Sequence, residues 1–339
     1  MASKNSGKTR SVTMADVAKE AGVSRQLVSL VVRNTGYVAP EKRELVVEAM
    51  QRLGYQRNTL AANLAAKQTN TIGLAIFDLH NQVYAEFADG ILEVIEPAGY
   101  KLLVSVTRKE SAADRTTVES LVGLRVDGIL VATHFGADGR NLSQALANTP
   151  AVTLGEVADE PNIGAISGND SLGGKLATEH LIKQGHQQIA YIAAPITHQN
   201  ADRHRGYLSA LEDHGLAELV FSGDASEAGG KTAFDLAMTT TPRPTAFFCY
   251  NDATAFGVLS CARERGLRVP EDLAVVGYDN TTPAGYPGVD LTSVDQRAHE
   301  MGQLAAQALL ERIRDQDAPL EQQSLAPELV IRRSSVTPN

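Results

Sequence analysis

Apolar positions in the first fifty-odd residues of this 339-residue chain recur at helical spacing three times. Met14, Val17, Ala18 and Ala21 fall at i, i+3, i+4 and i+7 behind Thr13, with Asp16 placed to complete a capping box, and Gly22 closes the turn. Ser24 opens a second helix whose inward stripe is Leu27, Val28 and Val31. Arg25, Gln26, Ser29, Leu30 and Arg33 fall on its other side. Small Ala18, the turn at Gly22 and the filler Val28 let these two helices cross closely. Pro40 starts a third helix, PEKRELVVEAMQRLG, with Leu45, Val46, Ala49, Met50 and Leu53 on its buried side and a stop at Gly54.

From residue 71 the rhythm changes. Short apolar runs alternate with helical stretches: TIGLAIF, YAEFADGILEVIEPAG, KLLVSV, a helix, GILVAT, another helix and AVTLGEV. A second series starts near Ile166 with the helix DSLGGKLATEHLIKQG, then QQIAYIAA, LVFSG, AFFCY, DATAFGVLSCARERG and AVVGYD. Each is a βαβ progression, which predicts an α/β domain of two lobes, each a parallel sheet covered on both faces. A last helix, HEMGQLAAQALLERIRD, and the strand ELVIRR make the chain cross between lobes more than once.

Charge then divides the chain. The net −9 hides a basic head: residues 1–69 hold 11 Lys and Arg against 5 Asp and Glu, a charge of +6, and the remainder holds 20 against 35, a charge of −15. Such a division puts a polyanion partner at the N-terminus, although a solvated basic tail has the same composition. No apolar run approaches the roughly 18 residues of a membrane span, and the first thirty residues lack a signal-peptide core, so a cytoplasmic protein with no membrane partner is expected. Cys249 and Cys261 form no C-x-x-C pair and the eight His lack metal-ligand spacing, so neither a disulfide framework nor a metal or other cofactor is expected.

The second helix carries the chemistry of the head. A plain helical hairpin has no need of Arg, Gln and Ser on the outer face of so short a helix, whereas a recognition helix does. Arg25 and Gln26 can read base edges in the major groove, and Leu30 can touch a thymine methyl or exclude water.

The segment TMADVAKEAGVSRQLVSLVVRNTGYVAPEKRELVVEAMQRLGYQRNTLAANLA resembles the headpiece and hinge of the LacI family of bacterial helix-turn-helix regulators, and the likeness extends over nearly the whole chain. The resemblance implies a flexible basic arm at 1–12, a helix-turn-helix domain at 13–56, a hinge helix and linker at 57–69, and an effector-binding and dimerisation domain at 70–339 of the bilobal periplasmic-binding-protein type. The first lobe takes about 70–165 and 296–324, the second about 166–295 and 325–335. By the same resemblance Arg25, Gln26 and Leu30 hold base-reading positions, and Ser24, Arg33, Tyr37, Lys42 and Tyr55 lie where the family contacts phosphates. In the hinge, Asn58, Ala61 and Leu64 match, Leu64 being the minor-groove wedge, while Arg57 stands where the family has Pro and Ala62 where it often has Arg.

Ligands of open parallel sheets bind beyond the carboxyl ends of strands, which singles out Asp279 after AVVGY, Asn251 and Asp252 after AFFCY, and Asp78 after TIGLAIF. The resemblance assigns Asp279 and Arg203 to the polar edge of a sugar or related effector, with Asn251 a third contact; Asn81, Tyr84, Glu156 and His134 are further candidates. Helix caps at Asn251 and Asp252 and a surface salt bridge at Arg203 are the structural alternatives. Ala225 occupies the place of an aromatic platform found in some members.

Three other readings compete. ASEAGGKT, residues 225–232, fits a relaxed phosphate-loop pattern of a nucleotide-binding enzyme, but Ala225 replaces its first glycine and Ser226 would draw the run into a helix. A Ser, His, Asp hydrolase lacks a G-x-S-x-G elbow. A transport binding protein shares the bilobal fold but has no use for a helix-turn-helix. The expected function is therefore non-enzymatic: a homodimer, without a heptad tail for tetramerisation, that binds a near-palindromic double-stranded operator under control of a small molecule.

Overall fold

The computed structural model describes residues 12–33, 35–55, 68–107, 111–132, 142–155, 163–194 and 198–336. It divides into two compact units, residues 1–68 and 69–339.

The small unit is three helices: α1 (Met14–Glu20), α2 (Arg25–Arg33) and α3 (Pro40–Leu53). The Thr13 hydroxyl accepts from the Asp16 amide and the Asp16 carboxylate accepts from the Thr13 amide, so both ends of the capping box are made. Gly54 ends α3 in the left-handed conformation, φ +63°, which a glycine adopts without strain. Val17, Ala18, Val28, Val31, Val38, Val46 and Ala49 form the core, and an Arg52–Glu20 contact of 2.9 Å ties α3 to α1. Leu45, expected on the buried side of α3, is 50% exposed. The inward stripe runs through Val46, Ala49, Met50 and Leu53, and Leu45 stands about 100° around the helix from Val46.

The large unit contains two six-stranded sheets. The first has the order β11-β5-β4-β3-β1-β2, all parallel, built from β1 (Thr71–Ile76), β2 (Lys101–Val106), β3 (Gly128–Ala132), β4 (Ala151–Gly155), β5 (Gly164–Gly168) and β11 (Gln322–Leu325). In the second the order is β12-β10-β9-β8-β6-β7, from β6 (Ile189–Ala193), β7 (Leu219–Ser222), β8 (Ala246–Cys249), β9 (Ala274–Tyr278), β10 (Thr292–Asp295) and the antiparallel edge strand β12 (Glu328–Val330). β1, β3, β4, β8 and β9 are buried almost throughout, as the continuous apolar runs of parallel strands require.

Helices cover both faces. The first sheet lies between α4 (Val83–Ile95) with α11 (Ala298–Arg314) and α5 (Ser111–Gly123) with α6 (Leu142–Leu146). The second lies between α7 (Asp170–Lys183) with α8 (His198–Asp213) and α9 (Glu227–Ala237) with α10 (Asp252–Glu264). Three of these helix pairs cross at reciprocal glycines. A Cβ on Gly90 would overlap the His299 carbonyl and one on Gly302 the Phe87 carbonyl. Gly174 and Gly206 stand so against Arg203 and Ser171, and Gly230 and Gly257 against Thr254 and Glu227. Backbone meets backbone at each crossing, and no side chain fits between.

The ASEAGGKT run of the phosphate-loop reading is drawn into that packing, as its cap at Ser226 predicts. Ser226 caps α9, its hydroxyl accepting from the Gly229 amide at 3.1 Å, and both glycines of ASEAGGKT lie in the helix, Gly230 against α10. The Gly229 and Gly230 amides are already taken, donating to the Ser226 hydroxyl and carbonyl.

Candidate functional site

In the small unit, Ser24 caps α2, its hydroxyl accepting from the Leu27 amide at 3.2 Å. That fixes the start of the helix and sets Arg25 and Gln26 on its exposed face; Ser29 is half-buried. Leu30 departs from expectation: it packs partly against the three-helix core and approaches Gly36, so its side chain also holds the loop after α2. Tyr37 is 91% exposed and Lys42 is exposed, whereas the Tyr55 ring leans on the core. Arg33 ends α2, and its side chain, like Asn58, Ala61 and Leu64, lies outside the described residues. The cap, the bare polar face and the neighbouring cations suit a helix that enters a groove with its N-terminus first.

In the large unit, a cleft of about 1170 Å³ opens at the carboxyl ends of the strands. Its first wall is Phe77, Asp78, His80, Asn81 and Gln82, following β1, with Val106 and Thr107; its second is Ala225 to Ala228, Lys231, Ala253, Phe256 and Thr281. Asp78 therefore stands where the strand-end rule puts it. Its carboxylate lies 2.8 Å from His80 Nδ1 and accepts from the His80 amide. The Asn81 side chain accepts from the Val83 amide and fixes the start of α4. Tyr84 is half-buried with its ring edge-on to Phe87 and is not part of the wall among the described residues. Glu156 and His134 lie outside the described residues.

Arg203, Asn251 and Asp279 sit behind the second wall. Asn251 caps α10: its carbonyl oxygen accepts from the Thr254 amide and hydroxyl at 2.9 and 2.7 Å, and its amide donates to the Ala225 carbonyl at 3.0 Å. That last bond fixes the Ala225 edge of the cleft. Asp252, also buried, accepts from the Ser293 hydroxyl at 2.6 Å and from the Thr281 amide and hydroxyl at 2.7 and 2.8 Å, anchoring the wall residue Thr281. Burial pushes its carboxyl up to about 6 despite those donors.

Arg203 is 2% exposed, so no surface salt bridge exists there. Its Nε donates to Asp170 at 2.8 Å and its Nη1 to the Tyr250 carbonyl at 2.6 Å, with the guanidinium against the Tyr278 ring (3.6 Å) and the Tyr250 ring (4.6 Å). Burial opposes its charge, but Asp170, Tyr250, Tyr278 and Asp279 outweigh burial and keep it protonated. Asp279 lies 3.8 Å from Arg203 Nη2 and accepts from the Gln296 amide at 2.6 Å. Its backbone φ of +102° is strained for a non-glycine residue and is held by its own N–H bond to the Val294 carbonyl.

Two contacts join the walls. The Gln199 amide donates to the Gly155 carbonyl at 3.0 Å while accepting from the Tyr250 hydroxyl at 3.3 Å, and the Thr282 hydroxyl donates to Glu86 at 3.0 Å. Sequence reasoning missed Gln199, Asp170, Gln296 and the two tyrosines. Asp170 and Gln296 closely follow β5 and β10, strands that the apolar pattern did not disclose. Among the described residues no cluster of His, Cys, Asp and Glu could hold a metal ion, and no helix is long and apolar enough to cross a membrane.

Comparison with known proteins agrees with this division. Residues 13–58 match the family described as bacterial regulatory proteins, lacI family, and residues 178–335 match the periplasmic binding protein-like domain. The chain is 34% identical over 327 residues to the HTH-type transcriptional repressor PurR of Mannheimia succiniciproducens, covering 95% of this chain and 98% of that one. Among solved structures, the lac repressor dimer bound to operator and the anti-inducer ONPF is similar with a TM-score of 0.82 and 31% identity, over 97% of this chain and all of the other. A complex of the transcriptional regulator CelR with cellobiose gives a TM-score of 0.71 at 30% identity, over 95% and 99% of the two chains.

Proposed function

The chain belongs to the lacI family of bacterial regulatory proteins and is a DNA-binding transcriptional repressor controlled by a small-molecule effector; we propose that it reads its operator with α2 as a homodimer and takes its effector in the cleft between the two sheets. The observation that carries this reading is the pairing, in one chain, of a capped helix with a bare Arg25 and Gln26 face and a 1170 Å³ cleft at the strand ends.

In this reading Arg25 and Gln26 contact base edges, assisted by Ser29 and Leu30. Ser24, Arg33, Tyr37, Lys42 and Tyr55 contact phosphates, and Asn58, Ala61 and Leu64 belong to a hinge that wedges the minor groove. A dimer follows from selectivity: one short helix spans too few base pairs, and two-fold pairing sets the half-site spacing. Cellobiose in a relative and the hydrogen-bonding edge at Asp78, Asn81 and Thr281 favour a sugar or related polar metabolite as effector. Asp279, Arg203 and Asn251 support that edge from behind, and Tyr84 and Glu156 are further effector candidates. The protein works in the cytoplasm, where its DNA is, and performs no catalysis.

The test has two arms. Arg25→Ala is expected to relax specificity at one base position, costing about 1–3 kcal/mol there, while Lys42→Ala weakens all sequences alike and lowers the salt slope by about one. Loss of specificity from both variants alike contradicts the division of contacts. Calorimetric titration with cellobiose, ribose and related sugars, repeated with operator present, is expected to find one ligand whose affinity and the operator's change together, as linkage demands.

A further inference from the structure

The second lobe encloses more acid than its buried cation balances. Asp170, Asp252 and Asp279 are each no more than 6% exposed, and Arg203 is the only buried Lys or Arg among the described residues. The hydrogen-bond donors are shared unequally. Asp252 receives three hydrogen bonds, from Ser293 and Thr281, and Asp170 takes the direct guanidinium bond at 2.8 Å. Among the described residues the Asp279 carboxyl receives one, from the neutral amide of Gln296, and the Arg203 nitrogen nearest it stands at 3.8 Å, outside hydrogen-bond range. An ionised buried carboxylate needs several donors or a directly bonded cation, and Asp279 is the member of the three that has neither.

We propose that Asp279 holds a proton at neutral pH in the effector-free protein, so that the second lobe loses stability steadily as pH rises through neutrality. The groups facing Asp279 agree. Asp170 on α7 and Asp252 on α10 repel its charge. Arg203 on α8 favours it but is bonded to Asp170, and Arg332 beyond β12 acts on Asp252. Tyr250 and Tyr278 present ring faces to Arg203, and Gln296 presents an uncharged amide. Burial first, then the two aspartates, push the Asp279 carboxyl up to about 8 against the pull of Arg203.

Linkage gives the sign. The folded chain keeps a proton that the unfolded chain loses near pH 4, so stability falls as pH rises toward about 8 and levels off above it. Burial lowers His180 and His186, whose contributions therefore act below about pH 6.5, and raises Cys249, which acts near pH 9 and above. Burial raises Asp170 as well, so the window from about pH 6.5 to 8 is assigned to Asp279 by comparing the two variants. Denaturant unfolding of the full chain is measured across that window for the wild type, Asp279→Asn and Asp170→Asn. The wild-type unfolding constant is expected to rise up to about tenfold per pH unit. Asp279→Asn, which mimics the neutral acid, removes that rise and is more stable than wild type near pH 6.5, with an unfolding constant lower by on the order of a hundredfold. Asp170→Asn, which removes a repelling charge and frees Arg203 toward Asp279, is destabilised and has its rise end at lower pH. An Asp279→Asn variant with the wild-type slope overturns the proposal, as does a flat wild-type profile, which decides the matter even if the variant fails to fold. No effector enters the experiment, so this failure leaves the effector reading standing.

Discussion

The two lobes of the large unit are built alike and filled differently. Each has a six-stranded sheet in the same spatial pattern, covered on both faces by helix pairs. In the first lobe the buried polar residues that are described are threonines and a serine: Thr107, Thr117, Thr153 and Ser167. The second buries Asp170, His180, Arg203, Asp252 and Asp279, together with the hydroxyl network of Thr292, Ser293, Ser334 and Ser335. A fold repeated for packing reasons thus carries its charge on one side. The first wall presents exposed, adjustable groups such as Asp78 and His80, and the second is a rigid wall fixed from behind by ionic and hydroxyl bonds.

The comparison breaks most readily at Arg203. Arg203→Ala leaves Asp170 buried without its cation and is expected to cost about 3–5 kcal/mol in denaturant unfolding. A loss below about 1 kcal/mol would mean that the second lobe does not depend on its ion pair. Next come the helix crossings, where the lobes should respond alike. Gly174→Val in the second lobe and Gly302→Val in the first each force a side chain into a backbone contact, at about 1–3 kcal/mol or more. A response in one lobe only would contradict the shared construction. The smallest effect is expected at Asp78, whose side chain is 43% exposed. Asp78→Ala should leave the unfolding midpoint within about 0.5 kcal/mol of wild type while changing effector affinity, and a large stability loss would show the first wall to be as rigid as the second.

How much of this was legible in the sequence depended on whether burial left a pattern. Thr13 with Asp16, Ser24, Pro40 and Gly54 mark helix ends in the sequence because caps are local chemistry, and all four act as expected. β5, β10 and β11 read GAISG, TSVD and QQSL, too short and too mixed to stand out, because each is specified by its neighbours in a sheet. Missing them hid the site: Asp170 and Gln296 follow two of those strands closely, and the rule that found Asp78 and Asp279 would have flagged them. The reciprocal glycines were invisible for another reason. A helix-crossing glycine has no local signature, so the packing of Gly230 against α10 could not be read from ASEAGGKT. Leu45 and Leu30 show the limit of apolar identity, since one lies outside the stripe and the other is shared between a polar face and the core.

The central claim is that α2 reads DNA as one half of a symmetric pair. Selection of bound duplexes from a random pool by the purified full chain at near-physiological salt, with and without the panel of sugars, tests it most directly. The expected result is a near-palindromic consensus whose half-sites lie about one helical turn apart and which loses its preference at one position of each half-site in Arg25→Ala. Enrichment of an asymmetric single site, or none under any condition, would contradict it.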